Sequence, residues 1–266
     1  MTRGDDAGGL GDGLIVPKGY GLSVHEALSS TNKEAVARAA SGETGPVWII
    51  AHRQGSGYGR RGRAWASAPG DLACTLLTRG PAQSGALGHL AFVAGLAVHD
   101  AAAAVADPEA LRLKWPNDLL LEGGKLAGLL IEREGDAIAV GFGVNIVSAP
   151  EDAPYATARL GLPDGDLPQA ISLRRRVFNA LAAAWDRRRA EWAEGVQFEL
   201  TRAAWLARAH GLGAPMEVRL PSDTLTGAFA GLDSDGRLIL KAQDGTARAI
   251  AAGDVFFDVS ARAEET

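Results

Sequence analysis

The groups in this chain best suited to chemistry fall in four short stretches. Gln54 to Gly70, QGSGYGRRGRAWASAPG, sets Arg60, Arg61, Arg63 and Trp65 among glycines directly after an apolar run. Glycine lets backbone N–H groups converge and guanidinium groups fork onto oxyanions, so such a loop is suited to cradling an anion. Gly57 to Gly62 formally matches G-x-G-x-x-G, but the dinucleotide fingerprint needs its last glycine to open a helix. The residues that follow, Arg63-Ala64-Trp65-Ala66-Ser67-Ala68-Pro69-Gly70, are no helix. The phosphate-binding pattern G-x-x-x-x-G-K-[ST] is also absent. A solvated Gly/Arg connection is the plain alternative.

The second stretch, Leu113 to Glu132, reads LKWPNDLLLEGGKLAGLLIE. Pro116 stops a strand, Asn117-Asp118 offers an amide and a carboxylate at the turn, and Lys114 and Lys125 bracket a hairpin. Two lysines so placed put positive charge on one ligand from both arms; a surface hairpin with a solvated lysine is the other reading. In the third, Val140 to Ile146, Asn145 ends an apolar strand spaced by Gly141 and Gly143, where an asparagine also serves as a cap on its own backbone. The fourth, Ser29-Ser30-Thr31-Asn32, precedes a helical run and reads equally as an N-cap.

Positioning these stretches requires strands on which they end. Leu22 to Leu28 reads as extended, Thr31 to Ala40 as helical, and Val47 to His52 and Leu72 to Thr78 as strands on either side of the Gly/Arg loop. Leu87, Leu90, Val93, Ala94, Ala97 and Val98 share one face of a helix expected over 87–105. Leu111 to Trp115, Leu119 to Leu121, Ala127 to Glu132 and Ile138 to Ile146 read as short strands joined by glycine turns, which predicts hairpins and a mixed sheet. Two helical runs are expected over 172–210. Beyond the break at Gly211 to Pro215 the chain becomes all-β: Met216 to Leu220, Leu225 to Leu232, Arg237 to Lys241 and Ala247 to Ala251, with Asp235-Gly236 and Asp244-Gly245 as tight turns. The fold class is therefore α+β, a mixed sheet packed with helices followed by a small C-terminal β-barrel. The expected division is a mobile Gly/Asp-rich tail over 1–19, a catalytic domain over 20–212 and the β domain over 213–266.

Taken together, the four stretches resemble the biotin protein ligase family. Its loop, roughly Q-x-x-G-R-G-R-x-G-R-x-W, is met by Gln54, Gly57, Gly59, Arg60, Gly62, Arg63 and Trp65. Its K-W-P-N-D, K-L-A-G, G-x-G-x-N and S-T-N elements stand at Lys114–Asp118, Lys125–Gly128, Gly141–Asn145 and Ser30–Asn32. Tyr58 departs from it, standing where many members carry the first arginine of the loop. The resemblance implies the class II synthetase-like biotin/lipoate ligase fold with an SH3-like C-terminal domain. It also implies a two-step acyl transfer: biotin and MgATP give biotinyl-5′-AMP and pyrophosphate, then a lysine of a carboxylase's biotin carboxyl carrier domain takes the biotinyl group.

Carried over residue by residue, Lys125, Arg60, Arg63 and Lys114 become the catalytic cations. Ser30, Thr31, Gln54, Gly57, Arg60, Lys125 and Gly128 would hold biotin. Arg60, Arg63, Trp65, Asn117, Asp118, Lys125 and Asn145 would hold ATP, with Asp118 also assigned to Mg²⁺. No N-terminal winged-helix domain is evident, which implies a monofunctional enzyme that does not bind DNA. Some relatives dimerise through the catalytic sheet, so a homodimer is among the assemblies implied. The competing readings are a lipoate or octanoate protein ligase and a non-catalytic biotin-sensing module.

Composition agrees with an enzyme of this kind. The chain has 266 residues, 47% hydrophobic and 22% charged, which excludes disorder and collagen. One cysteine, Cys74, cannot form an internal bridge and suits a reducing cytosol. No secretory signal opens the chain and no apolar run approaches a membrane span, so the expected location is cytoplasmic, with no membrane partner. A net charge of −5 argues against a surface built wholly for nucleic acid. His25, His52, His89, His99 and His210 lack metal-ligand spacing, so no zinc site is expected.

Overall fold

The computed structural model describes residues 11, 13–82, 84–150, 153–161 and 166–257. In chain order its elements are β1 (Gly21–Leu28), α1 (Thr31–Ala40), β2 (Val47–Gln54), β3 (Leu72–Arg79) and α2 (Leu90–Ala103). Then come β4 (Leu111–Lys114), β5 (Asp118–Leu121), β6 (Gly124–Glu134), β7 (Ala137–Val144), α3 (Leu167–Trp192) and α4 (Phe198–Leu206). The last five strands are β8 (Pro215–Arg219), β9 (Thr224–Leu232), β10 (Leu238–Lys241), β11 (Ala247–Ile250) and β12 (Asp254–Phe256).

The first seven strands form one sheet in the order β1-β2-β3-β7-β6-β5-β4. Only β1 and β2 run parallel, because the helix α1 between them carries the chain back to the same end; every other pair is antiparallel, as short turns require. The sheet is therefore mixed, as the glycine turns predict. The remaining strands form an antiparallel sheet in the order β11-β10-β9-β8-β12.

Alternation along β7, AIAVGFGV, explains how the large sheet serves two faces. Ile138, Val140, Phe142 and Val144 belong to the main core with α2 and α3, where Trp48 of β2 meets Phe142 and Phe178 with ring centres 5.8 and 5.4 Å apart. The intervening Ala137 and Ala139 pack with Ala35 of α1. Further along the same face stand Gly141 and Gly143, leaving a shallow floor instead of a packed layer. The main core runs on without a break into Met216, Val218, Phe229 and Leu238 of the second sheet. The two sheets thus share one apolar interior.

Most strand ends shift by one to three residues, and four differences from expectation are larger or change the element list. The helix expected over 87–105 is shorter, Leu90–Ala103. The first of the two helical runs begins at Leu167, not near 172: Asp166 caps it by accepting from the Gln169 N–H at 2.8 Å, with a proline in the first turn. Strand β12 was not expected at all. Of the segment read as a mobile tail, residues 1–10 and 12 lie outside those described, while the Ile15 N–H donates to Asn179 Oδ1 at 2.8 Å and Asn179 Nδ2 donates to the Gly13 carbonyl at 2.9 Å. The end of that segment is held to α3. Residues 258–266 of the expected β domain also lie outside those described.

Candidate functional site

A cavity of about 450 Å³ opens on the glycine floor, between the N-terminus of α1, the Gly/Arg loop, the β4–β5 and β5–β6 turns and strands β8 and β12. Ser30, Thr31, Gln54, Arg60, Arg63, Trp65, Lys114, Asn117, Asp118, Lys125 and Gly128, all named from the sequence, line it.

One end is lined by uncharged polar groups. Thr31 donates its N–H and its hydroxyl to Gln54 Oε1, at 2.8 and 3.2 Å. The Thr75 hydroxyl lies 2.8 Å from Thr31 Oγ1 and 2.6 Å from Asn32 Oδ1. Asn32 Nδ2 donates to Glu132 Oε2 at 2.8 Å, and the same oxygen accepts from the Tyr58 hydroxyl at 2.7 Å. Burial and the Glu132 carboxylate both push the Tyr58 phenol up, so it stays protonated and donates. Ser30 stands at the N-cap of α1, yet its side chain makes no capping bond and faces the cavity. Gly141 is dictated by this wall: a Cβ there would lie 2.1 Å from Asn32 Oδ1.

The other end is charged. Lys125 Nζ lies 2.8 Å from Asp118 Oδ1 and 5.7 and 5.3 Å from the ring centres of Trp65 and Tyr155. That carboxylate oxygen is buried and accepts no well-directed hydrogen bond, so charge alone holds the pair. Trp65 packs against the floor, where a Cβ on Gly143 would come within 2.4 Å of its ring and one on Gly128 within 3.1 Å. Arg61 donates to Asp254 of β12 at 2.8 Å, and Arg63 pairs with the same carboxylate oxygen. Arg60 donates to Asn117 Oδ1 at 3.1 Å; burial pushes its guanidinium below the ordinary range, and Asp254 pulls it back. Lys114 and Arg219 both stand over the Phe256 ring, 5.9 and 4.2 Å from its centre.

The loop that carries these arginines has a definite form. The Trp65 N–H donates to the Gly57 carbonyl at 2.9 Å and the Gly59 N–H to the Arg63 carbonyl at 2.8 Å, closing a short hairpin. Its tip needs left-handed backbone at Arg61 and Gly62 (φ 57° and 70°), which glycine adopts freely and arginine at some cost. Asp71 ties down the far end: it accepts from the N–H groups of Ala68, Ile146 and Val147, each at 2.8 Å.

The chain matches the description of the biotin/lipoate A/B protein ligase family over residues 25–146 and that of the biotin protein ligase C-terminal domain over 211–258. It is 40% identical to biotin–[acetyl-CoA-carboxylase] ligase of Paracoccus denitrificans, over 86% of this chain and 97% of that one. The chain belongs to the biotin protein ligase family. The ligase of the same name from Mycobacterium tuberculosis is 37% identical, over 88% of each chain. In fold, the chain is similar to the biotin protein ligase from Aquifex aeolicus solved in complex with biotin and ATP, with a TM-score of 0.70 and 22% identity over 89% of this chain and 99% of that one.

Two residues expected in the site lie elsewhere. Asn145, expected on the nucleotide, does not line the cavity: it is buried, and its Nδ2 donates to the carbonyls of Lys125 and Ala158 at 3.2 and 3.0 Å. It steadies the backbone that presents Lys125. Gly57 does not line the cavity either; a Cβ there would lie 2.8 Å from Gln54 Nε2, so Gly57 makes room for that amide. Asn117 lines the cavity, but its amide is engaged by Arg60 and by the Leu129 carbonyl, 2.8 Å from Nδ2. Asn32, Glu132, Tyr155, Arg219 and Asp254 were not named as site residues. Glu132, the first acid after the apolar run of β6, carried a faint signal; Asp254 carried none, because β12 itself was not foreseen.

Proposed function

We propose that this chain joins biotin to ATP to give biotinyl-5′-AMP and then passes the biotinyl group to a lysine of a biotin carboxyl carrier domain in the cytoplasm. The observation that carries this reading is the cavity's polarity. A neutral hydrogen-bonding wall at one end suits a ureido ring, and clustered cations at the other suit a carboxylate meeting a triphosphate. A fully apolar pocket would leave the ureido donors and acceptor unpaired. The names of the relatives from Paracoccus and Mycobacterium, and the biotin and ATP in the Aquifex complex, support the same chemistry.

In the first step a biotin carboxylate oxygen attacks the α-phosphorus, and the bond to the bridging oxygen breaks to release pyrophosphate. Like-charge repulsion opposes that approach, so fixed cations in a cleft that excludes water lower the barrier. Lys125 faces the carboxylate and the transferred phosphate, with Arg60, Arg63 and Lys114 on the remaining oxygens. Ser30, Thr31 and Gln54 hold the ring, and Trp65 lies against the adenine. ATP brings Mg²⁺ as part of the substrate, and Asp118, whose oxygen lacks a directed bond, is the group able to exchange Lys125 for that ion. In the second step the acceptor lysine nitrogen attacks the acyl carbon and AMP leaves.

ATP–pyrophosphate exchange decides the reading. Exchange that requires biotin and ignores lipoate or octanoate is expected; exchange driven by lipoate would make this a lipoate ligase, and exchange with no acid would leave a biotin-binding module.

A further inference from the structure

We infer that Tyr58 is a positioning residue for this site: its hydroxyl, held by Glu132, latches the Gly/Arg loop to β6 independently of the loop's arginines. The inference rests on the biotin-activation reading above and adds a part to it. Beside the bond from Arg60 to Asn117, two further sets of contacts hold the loop. Arg61 and Arg63 reach Asp254 through solvent-exposed pairs. Such pairs contribute little and are screened, and any phosphate entering the cavity competes with Asp254 for the same guanidinium groups.

The Tyr58 contact differs in kind. An uncharged hydroxyl donates to a carboxylate at 2.7 Å, and a neutral donor gives an incoming phosphate none of the Coulomb attraction that draws it to the guanidinium groups. Lys33 stands over the Tyr58 ring 5.5 Å from its centre, and the Tyr58 backbone bridges to Ala64 within the loop hairpin. Glu132 Oε2 also accepts from Asn32, which places the latch at the end of the chain of contacts through Thr75 and Thr31 to Gln54. When nucleotide draws Arg61 and Arg63 off Asp254, Tyr58 still holds the loop over the cavity, so it contributes to how long a hydrolysable anhydride stays enclosed.

Tyr58→Phe removes one oxygen atom and keeps the ring. In the ligand-free protein, hydrogen exchange over residues 55–65 should become about tenfold faster or more, the size set by a lost hydrogen bond to a charged group, with exchange in β2 and β3 unchanged. Biotinyl-AMP formed in the active site should escape about tenfold faster, while KM for biotin in pyrophosphate exchange shifts less than about twofold. In a Glu132→Ala background, Tyr58→Phe should add nothing further, because the two side chains act as one unit. Equal loop exchange in wild type and Tyr58→Phe overturns the latch. Faster loop exchange with unchanged adenylate escape, or additive effects in the double variant, overturns its positioning role. Absence of biotin-dependent exchange in the wild type would instead overturn the activation reading, and loop exchange in the ligand-free protein would still judge the latch.

Discussion

At one end of the cavity Gln54, Thr31, Thr75, Asn32, Glu132 and Tyr58 pass hydrogen bonds from one to the next. At the other, Lys125, Arg61 and Arg63 are held by the carboxylates of Asp118 and Asp254. The hydrogen-bonded wall is preorganised: its geometry comes from directed bonds on the face of a sheet, and a ring that binds there meets groups already in place. The charged wall is balanced instead, with Lys125, Arg61 and Arg63 each resting on an internal anion that an incoming phosphate would displace. Fixed hydrogen bonds give selectivity for a shape, whereas exchangeable ion pairs keep cations available without leaving them unpaired in a partly buried site.

The sharpest way to break this contrast is to remove a cation. Lys125→Ala should keep the fold, with melting close to wild type, and lower biotin-dependent pyrophosphate exchange about 10²–10³-fold, as loss of a partner for developing charge does. Near-normal exchange would take Lys125 out of the chemistry.

A paired glycine test separates the walls. Gly141→Ala drives a methyl into Asn32 and Gly143→Ala drives one into Trp65; each should cost about 1–3 kcal/mol of stability by overpacking. Calorimetric titration should find biotin binding weakened mainly in Gly141→Ala and ATP binding mainly in Gly143→Ala. Equal losses of both ligands in both variants would erase the distinction.

Salt gives a gentler probe. Between about 0.05 and 0.5 M, screening should weaken ATP binding several-fold and leave biotin binding within about twofold. A matching salt response for the two ligands would contradict the division.

The smallest effect on activity, none, is expected away from the cavity, at Asp100 between α2 and α3. Burial opposes its ionisation, but the nearby His99, 3.8 Å away, and hydrogen bonds from Arg188 and Arg187 outweigh that and hold the carboxyl well below its usual range. A depressed carboxyl stabilises the fold above the unfolded value of about 3.9 and loses that contribution as pH falls further. Asp100→Asn should therefore cost about 1.5–3 kcal/mol at pH 7, read by denaturant unfolding, with the difference from wild type shrinking below about pH 4 and catalysis unaffected throughout.

Much of this molecule was legible as local pattern. Alternation in β7, the helical spacing of α2 and the Asp-Gly turns of the second sheet are properties of neighbouring residues, so they survive without tertiary information. The loop and the Lys114–Asp118 and Lys125–Gly128 runs were legible for the same reason, since each brings its groups together within a few residues. What those groups do to one another was not. That Asn145 would turn inward to hold Lys125, that Asn117 would be engaged by Arg60, and that Tyr58 would meet Glu132 are contacts between residues 20 to 74 apart in the chain. The sharing of Asp254 between Arg61 and Arg63 spans more than 190 residues. A short strand at the chain's end has no periodicity of its own to announce it, and β12 acquires its place only by pairing with β8. Residue type sets which chemistry is available; packing decides which partner each polar group takes, because a partly buried donor or acceptor must be satisfied by whatever the fold brings within 3 Å.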